Sequence, residues 1–268
     1  MPLNDWLGVD LGGTWLRWGG ASSGRLRLED RSPEAILDHL ITVSEGRGVA
    51  VSFAGWLCPE GRRVMQGPNL GWVDVPFVEM AAARGLNCHL ENDLDARAWG
   101  EYMALETREP RSLIALNAGS GFALGLVVQG QLVRGFHHRA GEVGHLVLGP
   151  ADRRCGCGDL GCAETLLGGA QNPPDRFDDP SQRQAWLDLA ARIVAPVVAA
   201  LDPHHVVGVG GILAHRPDLL RDLEQEIKGL LPRRWFDDFS LRVSVGESLA
   251  LAGVVDLARH SEALRNGN

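Results

Sequence analysis

The chain has 268 residues, enough for one large domain or two of moderate size. It carries 26 Lys and Arg against 34 Asp and Glu, a net charge of −8, and this acidity argues against a broad nucleic-acid surface. Hydrophobic residues make up 45% and charged residues 22%, which excludes disordered and fibrous classes. Lys228 is the only lysine and falls in a predicted helix, so neither a P-loop nor a Schiff-base site is available on convincing terms.

Segments that would target or anchor the chain are not expected. No stretch approaches the ~20 apolar residues that span a bilayer, and residues 1–10 lack the basic and apolar regions of a secretory signal. The five cysteines are odd in number, and three of them crowd into residues 155–162. This pattern favours a cytoplasmic protein with a metal site over a disulfide framework, and predicts no membrane partner.

The first half of the chain alternates predicted strands and helices. The hydrophobic pattern predicts strands at 6–11, 16–19, 25–29, 49–53 and 88–91. Helical spacing predicts helices at 33–43, 76–84 and 94–105, the first with Ser32 as N-cap before Pro33.

The second half resembles the first. Strands are predicted at 113–116, 122–128, 132–134, 206–209 and 241–245, and helices at 185–201, 217–230 and 249–258. Two related α/β lobes with ligands at the C-terminal strand ends are therefore expected. The polar run 106–111 places the boundary between residues 1–110 and 111–268, and a helix near 248–260 could pack back on the first lobe.

Two glycine turns are candidates for phosphate binding. Asp10 ends the first strand before Gly12, Gly13 and Thr14, and Gly119, Ser120 and Gly121 hold the equivalent place in the second half. Glycines let backbone N–H groups approach phosphates, and an aspartate there can hold Mg²⁺. Each turn alone could be a plain hairpin, but their pairing favours a polyphosphate site.

Polar side chains at two further places could bind a substrate. In Glu91-Asn92-Asp93, a strand end meets a helix, so the residues either cap that helix or supply a base for a hydroxyl proton. In the segment 140–145, glycines leave room beside Glu142 and His145, which suit sugar hydroxyls. An ordinary surface loop is the alternative there.

Cysteine spacing gives the strongest local signal. Cys155, Cys157 and Cys162 are separated mainly by glycines, and His145 lies ten residues upstream. Three thiolates and one imidazole make a closed, structural zinc site. A disulfide is the alternative, but Cys-x-Cys spacing would strain it.

Together these motifs resemble the ROK family of sugar kinases, in the actin-like ATPase superfamily. The matches are GVDLGGT at 8–14, ENDLDARAWGE at 91–101, AGEVGH at 140–145 and CGCGDLGCAE at 155–164. PNLGW at 68–72, GSGFALG at 119–125 and VVGVGG at 206–211 also follow the family's order. The resemblance spans nearly the whole chain. It implies two actin-like (ribonuclease H-like) α/β lobes flanking a cleft, with mixed sheets and helices on both sides.

The resemblance also implies roles for individual residues. Asp93 would be the base, with Asn92, Glu142, His145, Glu164 and, more weakly, Asn69 holding other hydroxyls. Asp10, Gly12, Gly13, Thr14 and Gly119-Ser120-Gly121 would cradle ATP and Mg²⁺, with Gly210-Gly211 near the adenosine. The zinc ligands would be His145, Cys155, Cys157 and Cys162, and a cytoplasmic homodimer is expected.

The sequence departs from the family pattern at some positions and leaves the substrate open. Trp15 stands where many members have a lysine, and Phe122-Ala123-Leu124 replaces a glycine-rich run. The first expectation is an ATP-dependent hexose 6-kinase of glucokinase type. Allose kinase, N-acetylmannosamine kinase and a sugar-binding or regulatory protein without catalysis are the alternatives.

Overall fold

A computed structural model gives the fold of the chain. It describes residues 6–20, 22–105, 111–170, 173–232, 234, 236, 239–244, 246, 248–265 and 267. These residues divide into two compact units. The first takes in described residues of Met1–Glu106, Arg134–Arg139 and Gly246–Asn268, and the second takes in those of Thr107–Val133 and Ala140–Val245.

The first unit is built on a five-stranded sheet. Strands β1 (Trp6–Leu11), β2 (Trp15–Gly19), β3 (Gly24–Arg27), β4 (Gly48–Phe53) and β8 (Cys88–Asn92) lie in the order β3-β2-β1-β4-β8. The hairpin strands pair antiparallel, whereas β4 and β8 continue the sheet parallel to β1. Helices α1 (Pro33–Ser44), α2 (Phe77–Ala83) and α3 (Asp93–Met103) connect the strands. All residues of β1 except Asp10 are buried, as expected of a strand with two covered faces.

The second unit repeats the topology of the first. Strands β9 (Leu113–Ala118), β10 (Phe122–Val128), β11 (Gln131–Leu132), β12 (His205–Val209) and β13 (Leu241–Val243) lie in the order β11-β10-β9-β12-β13. Again the hairpin is antiparallel and the last two strands are parallel to the central one. The expected relation between the halves is thus present in their sheets.

Several helices of the second unit differ from the predicted bounds or were not predicted. Helix α5 (Pro180–Leu201) begins five residues earlier than predicted, because the Asp179 carboxylate caps it through the amides of Ser181 and Gln182. Short helices α4 (Glu164–Leu167) and α6 (Gly211–His215) were not predicted, while α7 (Pro217–Leu230) was. By length and composition alone α5 could cross a membrane, but Trp186, Leu187 and Val194 pack in the core of this unit.

A second sheet in the first unit was also missed. Strands β5 (Trp56–Leu57), β6 (Val64–Gly67) and β7 (Trp72–Val75) form an antiparallel sheet of three. The Trp72 ring stacks on Phe53 with centroids 5.5 Å apart, which ties this sheet to β4. Strands of two to four residues are too short to show a clear alternation in sequence.

The last helix, α8 (Leu249–Arg265), belongs to the first unit and packs on α3 and β1. Two glycines permit the contact: a Cβ on Gly100 would lie 1.9 Å from the Leu249 carbonyl oxygen, and one on Gly253 would lie 2.0 Å from that of Ala96. Helix α8 is seven residues longer than predicted. Most of the polar run used to place the domain boundary, residues 106–110, lies outside the described residues, as does Val245 in the predicted strand 241–245.

Candidate active site and metal centre

Asp93 is the first residue of α3, directly after the end of β8. The preceding Asn92 is the N-cap: its Oδ1 accepts hydrogen bonds from the amides of Leu94 (2.9 Å) and Asp95 (3.1 Å). Its Nδ2 donates to the Gly55 carbonyl at 3.1 Å. Both polar atoms of Asn92 therefore fix the strand–helix junction. The half-buried Asp93 carboxylate stands at the helix N-terminus, where the helix dipole favours a negative charge.

Glu91 is buried, with a side chain only 3% exposed. The Arg134 guanidinium binds it with both Nε and a terminal nitrogen, the Nε–Oε1 distance being 3.0 Å. His89 Nε2 lies 3.7 Å from Glu91 Oε2. Burial raises the pKa of Glu91, but the His89 ring and the Arg134 guanidinium outweigh it and lower the pKa to about 2. The pair was not predicted, because 43 residues separate its members along the chain.

The first glycine turn lies at the end of β1. The Gly12 amide donates to the Trp15 carbonyl at 3.0 Å, which closes the turn. A Cβ on Gly13 would lie 2.8 Å from Cβ of Asn69, so the structure brings Asn69 directly against this turn. The Asp10 carboxylate accepts a 3.1 Å hydrogen bond from Arg17. Burial raises the pKa of Asp10, while Arg17 opposes that rise.

The second glycine turn lies against the end of β12. A Cβ on Gly119 would be 3.5 Å from Gly210 Cα and from the Gly211 amide nitrogen. Gly210 has φ +88°, and a Cβ there would also come within 2.6 Å of the Ala118 carbonyl. Only glycine fits this position. The residues expected at the triphosphate and at the adenosine therefore adjoin each other in the second unit.

The segment carrying Glu142 and His145 packs against β10. Gly141 has φ +85°, and a Cβ there would lie 1.7 Å from the Leu124 carbonyl oxygen; one on Gly144 would lie 2.0 Å from that of Phe122. The glycines are thus required for the loop to approach the strand. His145 ends a short 3-10 helix (Val143–His145), and its Nε2 lies 3.5 Å from Glu142 Oε2.

Four predicted metal ligands lie together in the second unit. One ligand atom each from His145, Cys155, Cys157 and Cys162 falls within 4.8 Å of all the others. Cys157 Sγ is 3.6 Å from Cys162 Sγ, and Cys155 Sγ is 3.6 Å from His145 Nδ1. The chain path between them needs Gly158 (φ +102°) and Gly161 (φ +78°). A disulfide is not formed, because all five cysteines are free.

These distances suit tetrahedral zinc. With Zn–S bonds of about 2.3 Å, neighbouring sulfurs of a regular tetrahedron are about 3.8 Å apart, close to the separation found. Burial raises the pKa of Cys155 to about 12 and also raises that of Cys162. A bound divalent cation would instead lower the pKa of these thiols and stabilise their thiolate forms. His145 presents Nδ1 to the sulfurs and Nε2 to Glu142, the arrangement in which a carboxylate orients a metal-binding imidazole.

Glu164 joins the cysteine cluster to the second glycine turn. Its Oε2 accepts a hydrogen bond from the Phe122 amide at 3.1 Å, and its Oε1 lies 3.5 Å from Cys155 Sγ. A Cβ on Gly121 would lie 2.4 Å from Glu164 Oε2, so any larger residue there would have to displace this carboxylate. The predicted residues of the second unit, from turn to metal ligands, form one connected network.

Comparison with known proteins identifies the family. A model of the ROK family matches residues 7–171. The chain belongs to the ROK family. A glucokinase of Streptomyces coelicolor is 33% identical over 96% of this chain and 98% of its own length. An N-acetylmannosamine kinase of Salmonella typhimurium is 32% identical over 61% of each chain.

Solved structures of ROK proteins share the fold. A ROK glucokinase from Streptomyces griseus, in complex with glucose and AMPPNP, superposes with a TM-score of 0.74 at 24% identity. The match covers 95% of this chain and 99% of the other. This ROK protein therefore has the expected actin-like α/β fold, in which both units carry a mixed sheet.

Proposed function

We propose that this ROK protein is an ATP-dependent hexose kinase that phosphorylates the 6-hydroxyl of glucose or a close relative. The placement of Asp93 carries the proposal. A carboxylate at a helix N-terminus, beside an Asn92 whose two polar side-chain atoms are hydrogen-bonded, is well placed to accept a hydroxyl proton. Phosphoryl transfer depends mainly on positioning and charge stabilisation, which such a junction supplies.

In this reaction Asp93 takes the proton as the sugar oxygen bonds to the terminal phosphorus. The anhydride P–O bond to ADP breaks, and ADP leaves with the electron pair. Glu142, His145 and Glu164 would hold other sugar hydroxyls. Asn69 and Asn92 are weaker candidates for contact, since Asn92 already uses both polar atoms in the fold.

The two glycine turns would bind the nucleotide. Backbone N–H groups of these turns can approach the phosphates of a bound nucleotide. The residues are Gly12, Gly13 and Thr14 in one unit, and Gly119 to Gly121 with Gly210-Gly211 in the other. Asp10 would hold Mg²⁺ directly or through water, because magnesium is usually bound by one or two carboxylates together with substrate phosphates. When bound, Mg²⁺ supplies neutralisation of phosphate charge.

Zinc would be structural in this enzyme. His145, Cys155, Cys157 and Cys162 would fill all four positions of the ion. The ion would fix the segment that carries Glu142 and Glu164. Free cysteines agree with the reducing cytoplasm, where we place the enzyme as a homodimer.

The relatives support two sugar classes. Glucose has the wider support, from a relative that aligns along nearly its full length. N-acetylmannosamine is the second candidate, supported by the Salmonella relative. Allose stays a third possibility from sequence motifs alone. One or two hydroxyl contacts decide among such epimers.

A screen of hexoses and N-acetylhexosamines with coupled detection of ADP tests the proposal. Asp93→Asn should lose nearly all turnover while still binding the sugar in calorimetry. Asp74→Asn, at an exposed carboxylate of the same unit, is the matched control and should keep full activity. Equal turnover in the Asp93 and Asp74 variants would remove Asp93 as the base. Sugar binding without turnover in the wild type would favour the non-catalytic alternative.

A further inference from the structure

One face of the hairpin sheet next to Asp10 carries three arginines. Cross-strand pairing places Asp10 opposite Arg17, and Arg17 opposite Arg25. Arg27 lies opposite Trp15 on the same face, because side chains two residues apart share a face. Leu11 and Leu16 point the other way and are buried. We call Arg17, Arg25 and Arg27 the arginine face.

The arginine face is open where the rest of that sheet surface is covered. Helix α8 packs over Gly8 and Gly19, where an added Cβ would lie 2.9 Å from the Leu251 carbonyl oxygen and 3.0 Å from Leu251 Cδ1. Beyond this covered Gly8–Gly19 pair, the next pair on the same face is Asp10–Arg17, and the Arg17 side chain is 52% exposed. Arg25 and Arg27 are also exposed. The face therefore has solvent access beside the first glycine turn.

On the described part of this face one carboxylate, that of Asp10, forms an ion pair with an arginine. Asp10 pairs with Arg17, while Arg25 lies over the Trp15 ring, 5.1 Å from its centroid. Arg17 and Arg25 lie directly opposite each other on neighbouring strands. Like charges in that arrangement repel and destabilise the sheet. In a chain of net charge −8, a bridging anion would relieve this repulsion.

The chain has no lysine in the first unit to supply positive charge near the first glycine turn. Its only lysine, Lys228, is in α7 of the second unit and pairs with Glu224 at 2.9 Å. Trp15, the residue after Thr14, is apolar and supports Arg25 by cation–π stacking. Positive charge next to the first glycine turn is therefore supplied by arginines, whose planar groups bind phosphate oxygens in pairs.

We propose that the arginine face binds the phosphoanhydride chain of the phosphoryl donor. The ligand is a linear polyphosphate anion, either the triphosphate of ATP or inorganic polyphosphate. Its part in turnover rests on the proposed function. In transfer, the sugar oxygen bonds to the terminal phosphorus, the terminal anhydride P–O bond breaks, and Asp93 takes the hydroxyl proton. The donor, shorter by one phosphate, keeps the bonding electrons.

Charge reversal tests this proposal. Arg25→Glu/Arg27→Glu changes the face without touching Asp10 or Arg17, and Arg192→Glu/Arg221→Glu makes the same charge change at exposed residues of α5 and α7. Each protein is assayed with ATP and with medium-chain inorganic polyphosphate as donors. Binding of polyphosphate without sugar is measured by calorimetry. Arg25→Gln/Arg27→Gln serves if the reversed variant does not fold.

We expect the face variant to raise the donor KM, and the Kd for polyphosphate, at least about tenfold over the control, while kcat changes little. Tenfold corresponds to about 1.4 kcal/mol. A rise with ATP only identifies the nucleotide as the ligand, and a rise with polyphosphate identifies the inorganic chain. The same KM and Kd in face and control variants would overturn the proposal while leaving the kinase assignment intact. A wild type that binds polyphosphate through these arginines but phosphorylates no hexose would retain the binding site and remove the proposed function.

Discussion

Replacing Arg134 with methionine would leave the Glu91 carboxylate without its guanidinium partner in the interior of the first unit. The carboxylate is 3% exposed, so water cannot take the partner's place. Removing one member of a buried ion pair typically costs 3–5 kcal/mol. The pKa gives a similar figure: a fall from 4.5 to about 2 corresponds to roughly 3 kcal/mol of stabilisation at neutral pH.

The sign of the pH dependence separates this effect from simple loss of packing. In the wild type the Glu91 contribution is complete above the unfolded pKa of 4.5 and is lost as pH falls towards 2. In Arg134→Met the guanidinium no longer lowers the pKa of Glu91, while burial still raises it and His89 alone opposes that rise. The deficit of the variant relative to the wild type should therefore be largest at neutral pH and shrink as the carboxyl becomes protonated on acidification.

Urea unfolding at pH 7 and at about pH 3, followed by circular dichroism, measures both effects. Arg62→Met is the matched control, because its ion pair with Glu79 is exposed and should contribute no more than about 1 kcal/mol. Arg134→Met/Glu91→Gln should recover part of the lost stability, since no charge stays buried. A cost of Arg134→Met no greater than that of Arg62→Met, or an equal deficit at both pH values, would show that the buried Glu91 charge does not depend on Arg134.

Three further substitutions test other parts of the structure. Gly253→Ala should lower the free energy of unfolding by at least about 2 kcal/mol, because its Cβ would overlap the Ala96 carbonyl. The control Gly229→Ala, in α7, places its Cβ in open space and should raise Tm slightly. Equal Tm shifts in the two variants would contradict the packing of α8 on α3. Cys155→Ser should reduce the zinc content, measured by atomic emission, from about one ion per chain to near zero, whereas the control Cys58→Ser should keep its zinc. Zinc retained by Cys155→Ser would reject the site. Asn92→Ala should cost about 1 kcal/mol through the lost cap and lower kcat, while Asn92→Asp, which preserves the cap, should keep most of the stability.

Much of the fold could be predicted from local pattern. The strands of both main sheets alternate or run apolar, and helix α1 begins at its predicted cap, Ser32, whose hydroxyl oxygen accepts from the Ala35 amide at 3.3 Å. Cysteine spacing identified a set of ligands that the structure brings together. These signals lie within a few residues of one another, so a sequence reveals them directly.

Long-range contacts could not be predicted in the same way. The residues of Arg134–Arg139 belong to the first unit although they lie between segments of the second, and nothing in their composition indicates it. The partnership of Arg134 with Glu91 and the fit of Gly253 against Ala96 likewise depend on tertiary packing. Asn92 was expected either to cap or to bind a substrate, and only its hydrogen bonds show the cap.

The position of α8 in the chain constrains the order of assembly during translation. This helix covers β1, the first of the described strands in chain order, yet it is synthesised after the whole second unit. Until it emerges, the surface around Gly8 and Ala96 lacks its cover. The second unit has its own buried core and can complete folding earlier. During translation the second unit should therefore become protease-resistant before the first unit.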